Sequence, residues 1–150
     1  MSRSLLLALG ATGLALAAAA PVQAADVRPA DVQPVTTCGA WALQAGLGTQ
    51  VCATVTGNTV SFAGTVGLAG PPSPGTQLQP QQLDTALTAQ LADGTSLDGL
   101  HQGVLFRAAN VQVGPLTVTA PCGSTVHASF AVNAYPWVGA PVGVDVSISC

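Results

Sequence analysis

The sequence predicts an all-β protein, an antiparallel β-sandwich of about seven or eight strands stapled by disulfides. Three observations carry this. Val and Thr alternate through much of the chain, the pattern of half-buried strands. Turn residues punctuate it at short intervals: Gly57-Asn58, Gly70-Pro71-Pro72-Ser73-Pro74-Gly75, Asp93-Gly94 and Gly114-Pro115. Four cysteines follow a stretch that reads as a secretion signal, which puts them where disulfides persist.

That leader is residues 1–24. Arg3 precedes an apolar run from Leu5 to Ala20, shorter than the roughly 20 residues that span a bilayer. Pro21 ends the run, and Val22-Gln23-Ala24 presents small residues for cleavage after Ala24. The expectation is a secreted, extracellular protein without a membrane anchor once the signal is removed. The absence of lysine and glutamate, and the single isoleucine Ile148, point to a GC-rich bacterial coding sequence.

Residues 25–35 read as an extended arm. Ala25-Asp26-Val27-Arg28-Pro29 is followed by Ala30-Asp31-Val32-Gln33-Pro34, and a proline every fifth residue forbids a regular helix or a central strand. One domain, residues 36–150, then remains. Its first part predicts a meander over residues 36–68. Gly57-Asn58 is a two-residue hairpin signal that sets Val55 against Val60 and Ala53 against Phe62. A loop centred on Ala45 sets Cys38 against Cys52. With those registers Trp41, Leu43, Val51, Ala53, Val55, Val60, Phe62, Val66 and Leu68 share an apolar face, with Trp41 in the core. Gln44, Gln50, Thr54, Thr56, Thr59, Ser61 and Thr65 share the polar one.

The proline-rich segment at 70–75 predicts a crossing between sheets. Leu83–Leu91 fits a helix by its leucines, but also a strand; its all-β surroundings favour the strand. Asp98-Gly99-Leu100-His101-Gln102-Gly103 reads as a turn region. Short strands follow near Val104–Arg107 and over Val111–Thr119, the latter bent at Gly114-Pro115. A last hairpin with a loop centred on Val138 sets Ala134 against Val142, Phe130 against Val146, His127 against Ser149 and Asp145 against Ala131.

Four cysteines allow three connectivities. The registers favour Cys38–Cys52 within the meander, and Cys122–Cys150 clamping the C-terminus. The first pair is too close in sequence for the inter-sheet bridge of antibody domains, although strand count and spacing fit an immunoglobulin-like topology. No closely spaced cysteine pairs of the zinc type occur.

Little chemistry is written in the chain. Removing Arg3 with the leader leaves Arg28 and Arg107 against six aspartates, a balance that excludes a nucleic-acid or anionic-lipid footprint. There is no G-x-S-x-G, no H-E-x-x-H and no phosphate loop. His101 and His127 are the only histidines. In the expected register His127 stands four strand positions from Asp145, which breaks any triad. Asp93 and Asp98 flank a loop that supplies too few oxygens for calcium. No cofactor, metal or catalytic residue is expected.

The residues singled out for binding are Tyr135, Trp137 and Val138. They sit in a proline-stiffened loop, Tyr135-Pro136-Trp137-Val138-Gly139-Ala140-Pro141, whose aromatics either meet a ligand or fold back to plug the sandwich. The Thr- and Gln-rich face of the meander is a second candidate surface. The expected function is a non-catalytic extracellular binding module for a protein or polysaccharide ligand. The alternative is a protease inhibitor presenting Gly70–Gly75 or the His101 stretch; a small hydrolase ranks below both.

Overall fold

A computed structural model describes residues 33–150. The expected signal and all but the last three residues of the expected arm lie outside the described residues. Ten strands form: β1 Val35–Cys38, β2 Ala42–Gln44, β3 Leu47–Thr56, β4 Thr59–Leu68, β5 Gln81–Leu91, β6 Ser96–Phe106, β7 Val111–Thr119, β8 Thr125–Ala134, β9 Trp137–Val138 and β10 Val142–Ser147. The first sheet runs β1-β3-β4-β7, with β2 also on β3. The second runs β10-β8-β5-β6, with β9 also on β8. All pairings are antiparallel.

The chain crosses between sheets after β4, β6 and β7, so that β7 returns beside β4 and β8 beside β5. The result is an antiparallel sandwich whose two sheets are joined by three crossings. The proline-rich segment at 70–75 lies in the first crossing, as its composition predicts.

Alternation fills the space between the sheets. Val51, Ala53, Val60, Phe62 and Val66 point inward from the first sheet. Leu83, Leu87, Ala89, Val126, Ala128, Phe130 and Val132 meet them from the second. The Leu83–Leu91 segment is therefore a strand whose leucines share one face. Phe130 packs where the first sheet has no side chain: a Cβ on Gly64 would lie 2.5 Å from its ring. Gly64→Ala is expected to cost about 1–3 kcal/mol through overpacking, read as a lower denaturant midpoint at unchanged m-value.

Both disulfides form as the registers favour. Cys38–Cys52 joins directly opposed residues of β1 and β3, with Cα atoms 4.0 Å apart. Cys122–Cys150 ties the C-terminus to the β7–β8 connection, with Cα atoms 5.5 Å apart. Backbone bonds support the second, from Gly123 N–H to the Ile148 carbonyl at 2.7 Å and from Ile148 N–H to the Ser124 carbonyl at 2.9 Å. Two structural disulfides fit an oxidising, extracytoplasmic setting. Among the described residues no helix is long and apolar enough to cross a membrane.

Three expectations are corrected. The meander slips by one residue: Cys38 faces Cys52, yet Leu43 faces Gly48 and Gln44 faces Leu47. The extra residue falls between β1 and β2. There Gly39 approaches the second sheet so closely that a Cβ would collide with the Gly143 carbonyl. The slip turns Trp41 and Leu43 outward and Gln44 inward. The final hairpin is displaced by four residues. It turns at Tyr135-Pro136, where the peptide bond is cis, and after β9 and an irregular step at 139–141 Val142 faces Phe130. An even displacement leaves the faces unchanged but alters every partner. Finally, 98–103 is not a turn: it belongs to β6, paired along its length with β5.

Candidate functional site

The slip at β2 buries a glutamine and exposes Trp41 and Leu43. Gln44 is 1% exposed and reaches across to the second sheet. Its Nε2 donates to the Phe130 carbonyl at 3.0 Å and to Thr49 Oγ1 at 2.8 Å. Its Oε1 accepts from Val132 N–H at 2.9 Å. Phe130 is the last β8 residue paired with β10 and Asn133 the first paired with β9, so the side-chain amide serves Val132 in the gap between the two strands. Gly139 leaves room for it, since a Cβ there would come 2.7 Å from both Gln44 Cβ and the Val132 carbonyl. Gln44, not Trp137, closes this end of the sandwich.

The aromatics are sorted accordingly. Phe62, Phe106 and Phe130 are buried in the core. Trp41, Tyr135 and Trp137 are exposed, the last two by 100% and 67%. Of the eight large hydrophobic side chains exposed among the described residues, five cluster around one end: Trp41, Leu43, Tyr135, Trp137 and Val138. Trp137 and Val138 flank the Ala45–Gly46 turn and line a notch with it. Beyond that turn, Trp41, Leu43, Gly48 and Leu68 line an apolar groove of about 320 Å³. The structure thus brings Tyr135, Trp137 and Val138 to one tip. It adds Trp41 and Leu43, which the meander register had assigned to the core.

No catalytic arrangement accompanies this end. The corrected hairpin does bring His127 opposite Asp145, overturning the separation expected from sequence. His127 Nδ1 and Asp145 Oδ1 are 2.6 Å apart, and the ring lies against Gly143. The pair sits on the outer face of the second sheet with 39% and 70% of the side chains exposed. Among the described residues the ring's hydrogen-bond partner is Asp145. His101 lies on β6, opposite Ala86.

Asp93 and Asp98 serve the β5–β6 hairpin. Asp93 Oδ1 accepts from Thr95 N–H at 2.8 Å, a bond that holds its carboxyl below the usual range. Asp98 Oδ1 accepts from Gly99 N–H at 2.7 Å. Among the described residues no group of three His, Cys, Asp or Glu is placed to hold a metal ion. Residues 70–75 are exposed and carry no disulfide anchor.

No protein-family model matches the chain, and no curated protein matches it in sequence. The geometry therefore carries the functional argument alone.

Proposed function

We propose that this is a secreted, non-catalytic bacterial binding module that recognises an extracellular polymer through its exposed aromatic end. One observation carries the reading: the phenylalanines are buried while both tryptophans and the tyrosine are exposed, Trp137 against the Ala45–Gly46 turn and Trp41 just before the strand that leads into it. Large apolar side chains left in water have a cost that a partner removes, and Trp and Tyr are enriched at recognition sites. The tip is held by β9 pairing and by Gly139 N–H donating to Asn133 Oδ1 at 3.1 Å. Little ordering entropy remains to be lost on binding.

The test is a pull-down of the secreted protein on cell walls and insoluble polysaccharides, wild type beside Trp137→Ala. Wild type is expected to be retained and Trp137→Ala to be lost from the pellet. Because Trp137 is exposed, its removal should change unfolding free energy by no more than about 0.5 kcal/mol. Equal retention of the two proteins would rule out the tip as the binding site.

A further inference from the structure

We propose that the ligand is a neutral polysaccharide, and that it lies along the outer face of the first sheet, starting from the Trp41 groove. This rests on the binding-module reading and adds the chemistry and path of the ligand.

The first argument is charge. The five strands of the first sheet contain no Asp, Arg or His. Asp84, Asp98, His101, His127 and Asp145 all lie on strands of the second sheet, and Asp93 in the turn between two of them. The four adjacent strands β1, β3, β4 and β7 are thus uncharged, and Arg107, the one cation among the described residues, lies in the β6–β7 connection. Those strands offer nothing to a polyanion or a polycation, and nothing that repels a neutral chain.

The second argument is the order of groups on that face. At one end the Trp41 ring lies against Gly48, its Cε3 and Cζ3 3.5 Å from where a Cβ would stand. Gly48 faces Gly67 across β3 and β4, and the Asn110 amide lies over Gly67, its Oδ1 2.5 Å from where a Cβ would stand, so an amide borders the ring. Trp41 is 55% exposed, which leaves aromatic surface free. An aromatic face is electron-rich and suits the weakly positive C–H face of a pyranose.

Next along the strands comes the row Gln50–Thr65–Gln112, and beyond the Cys38–Cys52 disulfide the row Thr36–Thr54–Ser61–Thr117. The hydroxyls of the second row are already in register, Thr36 and Thr54 Oγ1 atoms being 2.9 Å apart. Neighbouring groups within a row are about 4.8 Å apart, the strand spacing. Hydroxyls and amides both donate and accept, as sugar hydroxyls do. A protein partner would want a desolvated apolar centre with a polar rim, whereas here polar rows run through the middle of the face.

The experiment is co-sedimentation of the full secreted protein with cellulose, chitin and an insoluble β-1,3-glucan, at low and high salt. The variants are Trp41→Ala, Gln112→Ala and Trp137→Ala, each checked by circular dichroism. Wild type is expected to bind at least one polymer with an affinity that salt leaves unchanged. Trp41→Ala should weaken binding by about tenfold or more, and Gln112→Ala, an exposed side chain whose loss cannot unfold the sheet, by several-fold. If Trp137→Ala alone abolishes binding while Trp41→Ala and Gln112→Ala bind as wild type, the track is wrong and the tip reading stands. Retention only on a wall-protein fraction, with no neutral polymer bound, likewise overturns the polysaccharide and leaves the module. Binding to nothing in the wall overturns both.

Discussion

Gln44→Leu should lower the unfolding free energy by about 1–3 kcal/mol, although it replaces a polar residue with an apolar one of similar volume in a buried site. The glutamine amide satisfies Val132 N–H, which has no strand partner on that side, and adds a bond to the Phe130 carbonyl at the last pair with β10. Leucine would leave Val132 N–H buried and unpaired, at about 1–3 kcal/mol. Gln44→Glu should also destabilise, because the carboxylate cannot donate to Phe130 and Thr49. The companion substitution Leu43→Gln should be nearly neutral, because Leu43 is 69% exposed. Equilibrium denaturation of the variants checks this. Had the register continued without the slip, the two positions would show the opposite ranking.

Removing the Cys122–Cys150 bridge, as Cys122→Ala with Cys150→Ala, is expected to cost about 3–4 kcal/mol. The bridge closes a loop of sequence separation 28, and constraint of the unfolded chain grows with loop length. The cost should also appear locally. The last residues hold Gly123 and Ser124 by two backbone bonds that the bridge keeps in place, so hydrogen exchange at Gly123 and Ile148 should accelerate. The shorter Cys38–Cys52 loop, separation 14, should be worth slightly less, about 3 kcal/mol. A reduced protein with unchanged stability would contradict both figures.

The fold was largely legible in the sequence because strand faces follow from alternation and tight turns from glycine. Gly57, at φ 60°, makes the β3–β4 turn, and both pairs expected across it form. Cysteine positions followed from the same registers. What was not legible came from irregular backbone. A one-residue insertion near Gly39 reversed the roles of Leu43 and Gln44, and only the close approach of the two sheets at Gly39 and Gly143 explains its position. Alternation cannot reveal such a slip, because each strand reads correctly on its own. The turn at Tyr135-Pro136 moved the last hairpin by four residues and brought His127 to Asp145.

The candidate site was half legible. The Tyr135–Val138 tip stood out by its aromatics and prolines, whereas Trp41 and Leu43 were hidden by the assumption that large apolar residues point inward. The hydroxyl rows were visible for β3 and β4 only. Thr36 and Thr117 join them through pairings between segments distant in sequence.

The most direct measurement of the central claim uses the tryptophans themselves. Trp41 and Trp137 are the only two in the chain, and both are exposed, one in the groove and one at the tip, so intrinsic tryptophan emission reports on these surfaces and not on the core. The protein should be titrated with solubilised wall polymer while emission and acrylamide quenching are followed. Binding at the aromatic end predicts a blue shift and protection from the quencher, both saturating with the bound fraction. A polymer that binds while both tryptophans remain fully quenchable would place recognition elsewhere and contradict the account.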